Sequence, residues 1–429
     1  MFDQLNLFQH IESAFAENSK VRNSDLYLAV ARKAGIPPEQ FNAREPVGKA
    51  GQKHNLLKRK IRWYQQDLKH RGLVERVDGE RGLWQLTDAG EKKLRKIQSN
   101  VAMLAYSTDL GLAIWGDAAH VMRNWDEPIT LAITSPPYPL RKQRAYGNPK
   151  ASEYVDFICT AMEPVVKNLV KGGSVVINVS NDIFDEGMPS RSLYLERLVL
   201  ALHDRLGLHM MDRLVWSNPS KPPGPIQWAS KTRQQLNVGY EMIYWFTNSP
   251  MDCKANNRRV LEPHTEKHLK LMKAGEQRSV ANSDGAYVLK VGSYAGATDG
   301  RIPKNIIMRG HRCPYQAAYK RTARSLGLPV HGAPFPVSLV RFLMEFLTEV
   351  DDLIVDNFSG SQTTPEVAEM LGRRWLAVDN IWEYLRGGAE RMRKYSGYQL
   401  NPMFDQFPEY QERRQWIGSS ELMPAMAGQ

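Results

Sequence analysis

Residues 353–379 read LIVDNFSGSQTTPEVAEMLGRRWLAVD, and this stretch decides the fold. An apolar run ends at Asp356, a loop of small residues follows, Pro365 suits the first turn of a helix, and a second apolar run ends at Asp379. The order predicts a strand, loop, helix and strand of a parallel sheet. Adenosine-binding folds place an acid like Asp379 to hold ribose hydroxyls, and Gly360 permits close approach of a ligand to the backbone. Because no Gly-Lys-Ser/Thr follows, phosphoryl transfer is disfavoured.

A second strand-like run, ITLAIT (129–134), stops abruptly at Ser135-Pro136-Pro137-Tyr138. Prolines have no N–H to donate to a sheet, so they predict a rigid loop at the carboxyl end of the strand, where ligands of open α/β sheets bind. We call residues 135–138 the catalytic loop. Its hydroxyl and carbonyl oxygens suit the amine of a flat base, and its aromatic ring can stack on that base. Orienting such an amine against a methyl donor favours attack by the nitrogen lone pair.

The catalytic loop, with Thr134 before it, resembles the motif of amino-group DNA methyltransferases, which use S-adenosylmethionine to methylate cytosine N4 or adenine N6. The resemblance implies that Ser135 and the Pro136 carbonyl bind the target amine and that Tyr138 stacks on the flipped base. In that family Ser is typical of N4-cytosine enzymes and Asp of N6-adenine enzymes. Cytosine N4 is therefore the leading target, and adenine N6 is the alternative.

The loop after Asp356 resembles the family's methyl-donor motif, D-P-F-x-G-S-G-T-T, with Asn357 in place of Pro and Gln362 in place of the second Gly. Other matching segments are WGD (115–117), KGGSVVINVS (171–180) and HGAPFP (331–336). The resemblance implies that S-adenosylmethionine is bound by Asp117, His331, Phe335, Asp356, Phe358, Gly360, Ser361, Thr363 and Asp379.

Because the catalytic motif precedes the donor motif, the chain resembles the permuted beta group of this family, in which target recognition lies between the two motifs. The expected fold is α/β, a doubly wound Rossmann-like sheet over residues 111–400. A recognition insert is expected at about 250–330. By the same resemblance, a Pro-rich loop is expected to line the target-base pocket with Trp216, Asn218 and Pro219.

Charge is divided unevenly along the 429 residues, whose formal net charge is +11. Residues 1–100 carry +7 and residues 250–330 carry +9, so the remainder carries −5. A basic excess favours polyanionic partners, with nucleic acid first and an anionic membrane surface second. Double-stranded DNA is the partner that fits both basic regions, and in the second the candidate contacts are Arg258, Arg259, Arg309 and Arg312.

The first hundred residues predict a helix, a basic amphipathic helix and a hairpin. Leu57, Ile61, Tyr64 and Leu68 fall on one helical face, and Asp78-Gly79 predicts the turn between two short strands. The order resembles a winged helix-turn-helix over residues 1–97, whose alternative role is dimerisation. Its candidate DNA contacts are Arg62, Gln66 and Lys69. A linker is expected at 98–110 and a C-terminal tail at 401–429.

Composition excludes several classes of protein. No apolar run reaches the roughly 18 residues that span a bilayer, and the N-terminus lacks a secretory leader. Three scattered cysteines suit a reducing cytosol and predict no metal cluster. C5 methylation is disfavoured because the Pro-Cys pair of those enzymes does not occur. The alternatives left open are a catalytically inert DNA-binding regulator and an RNA methyltransferase. A cognate restriction endonuclease is an expected functional partner of a restriction-modification enzyme.

Overall fold

The computed structural model describes most of the chain and divides it into two compact units, residues 1–93 and 94–429. Arg312 and the tail beyond residue 405 lie outside the described residues. The described residues are 10–11, 14–15, 18, 20–47, 52–70, 74–77, 79–80, 82–86, 101–140, 149–275, 280–281, 288–290, 292–310 and 313–405.

The N-terminal unit builds its own core. Its helices are α1 (Asn23–Lys33), α2 (Pro38–Asn42) and α3 (Leu56–His70). Its strands are β1 (Lys20–Arg22), β2 (Glu45–Val47), β3 (Gln52–His54), β4 (Val74–Arg76) and β5 (Leu83–Leu86). Strands β4 and β5 pair antiparallel, which confirms the hairpin. Helix α3 turns Ile61 and Leu68 into the core, as predicted, whereas Arg62 and Lys69 are exposed. Gln65 is also buried, and its amide donates a hydrogen bond to the side-chain oxygen of Asn23.

The second unit is built on a ten-stranded sheet. In chain order its strands are β6 (Ala102–Ser107), β7 (Gly111–Gly116), β8 (Ile129–Thr134), β9 (Leu169–Val179), β10 (His209–Ser217), β11 (Tyr240–Thr247), β14 (Ile306–Met308), β15 (Leu353–Asp356), β16 (Arg374–Asp379) and β17 (Gln399–Leu400), with β12 (Val280–Ala281) and β13 (Val288–Leu289) forming a separate pair. The spatial order is β14-β10-β11-β9-β8-β15-β16-β7-β6-β17.

Helices cover both faces of this sheet, as expected for a doubly wound α/β fold. They are α4 (Ala118–Arg123), α5 (Tyr154–Lys167), α6 (Tyr194–Asp204), α7 (Glu266–Ala274), α8 (Pro314–Ser325), α9 (Val337–Leu347), α10 (Thr363–Leu371), α11 (Trp382–Ala389) and α12 (Pro402–Asp405). Single turns lie at Ile226–Lys231, Pro250–Asp252 and Asn257–Val260. Helices α4, α5 and α6 contribute to the core on one face, and α9, α10 and α11 to the core on the other.

Strand direction gathers the ends of the central strands at one edge. Strands β7, β16, β15, β8 and β9 run parallel, so their carboxyl ends meet at that edge. Strand β11 is antiparallel to β9 and therefore begins at the same edge. Because both sheet faces are covered, β8 and β15 are buried along their whole length, which explains their largely apolar sequences.

Two boundaries expected from the sequence are corrected by the sheet. The expected linker, 98–110, contains β6, in which the alternation of exposed and buried residues breaks after Ala105. The expected insert, 250–330, contributes β14 to the sheet edge beside β10, and its helix α8 lies against α11. Within the insert, Glu262 and Arg301 pair antiparallel, their backbone N–H groups donating to each other's carbonyl oxygens at 3.0 and 2.9 Å. The part of 250–330 that lies outside the sheet and its helices is therefore shorter than predicted.

Across the described part of the chain, no helix has the length and apolar character needed to cross a membrane.

Candidate active site

A cavity of about 500 Å³ lies at the carboxyl edge of the central strands. All four residues of the catalytic loop line it, together with residues of the segment from Asn357 to Gln362, here called the methyl-donor loop. Of the residues expected to bind S-adenosylmethionine, those that line the cavity are Asp117, His331, Phe358, Gly360 and Asp379. The fold thus brings together two motifs that lie more than half the chain apart.

The catalytic loop is joined to two residues that sequence reasoning missed. Ser135 Oγ lies 3.0 Å from Tyr138 Oη, and the two hydroxyls lie within hydrogen-bonding distance of Asn178 Oδ1, at 3.3 and 3.0 Å respectively. Tyr138 Oη also lies 3.4 Å from Glu241 Oε2. The available signal was a polar residue inside each of two apolar strands, β9 and β11.

The side chain of Tyr138 is held in its neutral form. Burial raises the pKa of Tyr138 well above its usual value, and the nearby carboxylate of Glu241 raises it further, while the hydrogen bond with Ser135 opposes both. A neutral phenol can donate one hydrogen bond and accept another. Tyr138 can therefore connect Ser135 to Glu241, in addition to the stacking role expected of its ring.

Asp379 connects the methyl-donor loop to the strand beside it. Its carboxylate accepts hydrogen bonds from the backbone N–H of Gly360 at 2.7 Å and of Ile381 at 2.8 Å. Gly360 has φ +47°, and a β-carbon there would lie 2.9 Å from His331 Nε2. The ring of His331 in turn packs edge-on against Tyr384, with centroids 4.6 Å apart. Close packing thus fixes one wall of the cavity.

Asp356 has a different position from the one expected. Its side chain is 2% exposed and accepts hydrogen bonds from the hydroxyls of Thr134 (2.8 Å) and Thr364 (2.6 Å) and from the N–H of Phe358. Burial raises its pKa from 3.8 to about 6, although these hydrogen bonds oppose the change. It does not line the cavity. Its role as a cofactor ligand is therefore revised: Asp356 ties the end of β8 to the methyl-donor loop.

Three other expected cofactor residues are Ser361, inside the methyl-donor loop, Thr363, which directly follows it, and Phe335. Gln316 of α8 donates to both the carbonyl of Phe335 and Thr363 Oγ1. Ser361 and Thr363 are buried, with their hydroxyls 3.2 Å apart. None of the three is among the residues that line the cavity.

Gln362, which replaces a glycine of the family motif, keeps the left-handed backbone, with φ +63°. It is fully buried, its amide donates to Ser359 Oγ at 2.6 Å, and its Oε1 accepts from the Tyr106 hydroxyl at 2.7 Å. A β-carbon on Gly388 would lie 2.2 Å from Gln362 Cγ. The absence of a side chain at Gly388 therefore makes room for the glutamine.

Asp117 begins helix α4 beside the cavity. One of its carboxylate oxygens accepts from the backbone N–H of His120 at 3.0 Å, which caps the helix. The side chain is otherwise exposed, so a second oxygen remains available at the cavity wall.

The residues expected in the target-base pocket are not among those that line the cavity. Trp216 is 2% exposed and its indole N–H donates to the carbonyl of Arg309 at 2.8 Å, so it fixes β14 to β10. Asn218 is buried and accepts from the N–H of Ser220, whereas Pro219 is exposed. Trp216 is therefore a core residue, which corrects its assignment to the pocket.

The expected DNA contacts of the second basic region differ in their surroundings. Arg258 is exposed. Arg259 forms a 2.5 Å ion pair with Glu349 and donates to the carbonyl of Thr348. This corrects the placement of Arg259 in a DNA-reading insert, because it holds the segment 254–260 to the end of α9. Arg309 is half-buried and donates to the carbonyl of Met308, and Arg312 lies outside the described residues.

Known proteins match both units. A DNA methylase family model that covers N6 and N4 enzymes matches residues 129–390, and the Mrr N-terminal domain model matches residues 7–96. The Type II methyltransferase M.PvuII of Proteus hauseri is 31% identical over 290 residues, which are 67% of this chain and 85% of that protein. The Type II methyltransferase M.ScaI of Streptomyces caespitosus is 23% identical over 297 residues, which are 69% of this chain and 85% of that protein. The structure of the PvuII DNA methyltransferase (cytosine-N4-specific) superposes with a TM-score of 0.52 at 28% identity, covering 68% of this chain and 90% of that one.

Proposed function

The chain belongs to the DNA methylase family and is an S-adenosylmethionine-dependent DNA methyltransferase, and we propose that within this family it methylates the N4 amine of cytosine. The observation that carries the choice of cytosine is Ser135, whose hydroxyl stands in the cavity at the position where N6-adenine enzymes typically have Asp. Similarity to a cytosine-N4-specific enzyme at 28% identity over 68% of the chain supports the same choice.

The cavity residues fit S-adenosylmethionine. The Asp379 carboxylate lines the cavity and accepts hydrogen bonds from the backbone N–H groups of Gly360 and Ile381, and an acid at this position can also accept from ribose hydroxyls. Asp117 can accept a hydrogen bond from the adenine amine. Phe358 and His331 line the space between the catalytic loop and the methyl-donor loop. When bound, S-adenosylmethionine supplies a methyl group on a positively charged sulfur.

The target base enters the same cavity from the side of the catalytic loop. An amine inside a duplex is out of reach, so we propose that the cytosine flips out, at a cost of about a few kcal/mol of lost stacking and pairing. Ser135 Oγ and the Pro136 carbonyl then accept from its amine, and the ring of Tyr138 stacks on it. Pro136 and Pro137 contribute rigidity, which keeps these groups in position for attack.

Two domains, a linker and a C-terminal tail are proposed on this basis. Residues 1–97 form a winged helix-turn-helix that contacts DNA through Arg62, Gln66 and Lys69, supported by the Mrr N-terminal domain match. The methyltransferase domain, predicted at 111–400, is proposed to include β6 of the predicted linker (98–110) and α12 of the predicted tail (401–429), because both contribute to its core. Within 250–330, we assign recognition of the target sequence to the part from Glu262 to Arg301, because the flanking parts belong to the sheet and its helices.

The cellular role that we propose is modification in a restriction-modification system, with a cognate restriction endonuclease as functional partner. The support is similarity to Type II methyltransferases in two different organisms. A cytoplasmic location is supported by the three cysteines, all of which are free.

The experiment that tests this function identifies the product. Purified protein is incubated with methyl-labelled S-adenosylmethionine and duplexes of varied sequence, and the DNA is digested to nucleosides. We expect N4-methylcytosine, and recovery of N6-methyladenine alone would overturn the choice of cytosine. Ser135→Ala is expected to lose transfer while still binding S-adenosylmethionine. If Ser135→Ala and wild type both transfer nothing to DNA, the protein is an inert regulator; label in RNA alone would identify an RNA methyltransferase.

A further inference from the structure

A chain of polar groups leads away from the reacting amine. It begins at Ser135 Oγ, passes to Tyr138 Oη at 3.0 Å and reaches Glu241 Oε2 at a further 3.4 Å. Ser135 and Tyr138 line the cavity, whereas Glu241 lies behind them at the first residues of β11. The three residues come from two distant segments that meet only because β11 runs antiparallel to β9.

The groups along this chain differ in their ability to take a proton. Asn178 contacts both hydroxyls, but its orientation is fixed because its Nδ2 donates to the carbonyl of Met242 at 3.2 Å, and an amide oxygen is not a base at neutral pH. Tyr138 stays neutral, since burial raises its pKa well above the usual value. Among the described residues, the carboxylate that contacts these hydroxyls is that of Glu241, 3.4 Å from Tyr138 Oη.

Methyl transfer to an exocyclic amine produces a proton that must leave. The amine nitrogen forms a bond to the methyl carbon, the carbon–sulfur bond breaks, and its electron pair stays on sulfur. The nitrogen then carries a positive charge, which is lost when one of its two hydrogens leaves as a proton. A group that accepts this proton in the transition state increases the rate by about 10²–10⁴-fold in typical enzymes.

We propose that Glu241 is the terminal proton acceptor of the methyl transfer, reached from Ser135 through the hydroxyl of Tyr138. The amine gives its proton to Ser135 Oγ, Ser135 gives its own proton to Tyr138 Oη, and Tyr138 gives its own to the carboxylate. Each hydroxyl ends neutral, and Glu241 ends protonated. The proposal rests on the proposed function only in requiring an amine target, and it holds for adenine N6 as well as for cytosine N4.

The surroundings of Glu241 suit this role. The ammonium of Lys221 lies 3.5 Å from Glu241 Oε1, whereas Tyr138 contacts the other carboxylate oxygen, Oε2. The Glu241 side chain is 17% exposed, so the proton can pass to water afterwards. Tyr194 of α6 is a further titratable group near Glu241, and burial raises its pKa. Asp356 is hydrogen-bonded to Thr134 and Thr364 and belongs to a separate cluster.

The test compares single-turnover methyl transfer across pH at saturating S-adenosylmethionine. Glu241→Gln keeps the size and polarity of the side chain but cannot take the proton, so we expect the rate to fall about 10²-fold. Dissociation constants for S-adenosylmethionine and for duplex DNA are expected to stay within about twofold. The wild-type rate is expected to decline towards acidic pH as the carboxylate is protonated, and this decline is expected to be absent in Glu241→Gln. Glu241→Asp should recover part of the rate.

Two further variants make the result decisive. Glu186→Gln removes the same charge from an exposed position of the same unit and is expected to behave as wild type. Tyr138→Phe keeps the ring and removes the hydroxyl, and it should lose the acid decline even if Glu241→Gln fails to fold. A Glu241→Gln rate within about threefold of wild type, or an acid decline retained in that variant, overturns the proposal. Identification of the methylated nucleoside in the wild-type reaction separately tests the choice of target.

Discussion

The fit between Gln362 and Gly388 yields a quantitative prediction for Gly388→Ala. The added methyl carbon would lie 2.2 Å from Gln362 Cγ and 2.8 Å from its Cβ, against about 3.5–4.0 Å for carbon atoms in contact. Gln362 cannot move away easily, because it is fully buried and its amide is bonded to Ser359 and Tyr106. Overpacking of this kind destabilises by about 1–3 kcal/mol. The higher helix propensity of Ala offsets about 1 kcal/mol at most.

The clash is transmitted to the methyl-donor loop, so S-adenosylmethionine binding is the sensitive measurement. If about 1.4 kcal/mol of the strain falls on the bound form of the loop, the dissociation constant rises about tenfold, which calorimetric titration resolves. Urea unfolding measures the remaining loss. The matched control is Gly387→Ala in the same helix, where the new methyl would meet its nearest neighbours at 3.6 Å. We expect this control to bind as wild type.

A double-mutant cycle tests the cause. Gln362→Gly removes the side chain that the new methyl group would meet, so Gly388→Ala should be tolerated better in that background, with a coupling free energy of about 1–2 kcal/mol. The reasoning is refuted if Gly388→Ala and Gly387→Ala behave alike, or if the two changes in the cycle are additive.

Two predictions concern other parts of the molecule. The carboxyl of Asp356 has a pKa of about 6 in the folded protein, against a reference value of 3.8. Between these two pH values, unfolding releases a proton from this group. Its contribution to stability is therefore full below about pH 3.8 and is lost as the pH rises through 6. Asp356→Asn should therefore flatten the pH dependence of the free energy of unfolding between pH 4 and pH 7 by an amount on the order of 3 kcal/mol, and an unchanged slope would contradict the burial argument. Removal of residues 1–93, one of the two compact units, should weaken duplex binding by about tenfold or more and reduce its salt dependence while S-adenosylmethionine binding is retained. Unchanged duplex affinity would mean that the basic charge of this unit is only a solvated surface.

The central part of the fold and the two loops could be predicted from the sequence because each is encoded locally. The run from Leu353 to Asp379 carries its strands, its helix start and its loop in one continuous segment. The prolines of the catalytic loop likewise mark the end of β8 without reference to the rest of the chain. Local signals of this kind are reliable here because a strand that is buried on both sheet faces requires a largely apolar sequence.

The parts that could not be predicted depend on which segments become neighbours. Asn178 and Glu241 matter because β9 pairs with β11, and no local pattern specifies that pairing. The buried position of Asp356 follows from Thr134, which lies on another strand. β14 has only three residues and joins the sheet edge beside β10, so its sequence carries too little alternation to be recognised.

The short antiparallel pairing of Glu262 with Arg301 has an evolutionary consequence. Two backbone hydrogen bonds and a 2.6 Å ion pair join the two residues, so the chain between them leaves and re-enters the body at a single point. The entropy of closing a loop increases only slowly with its length. Segments of different length and sequence can therefore be exchanged at this point while the cofactor site and the catalytic loop are inherited unchanged. If this segment reads the target sequence, as proposed, its exchange alone would change the sequence specificity of the protein.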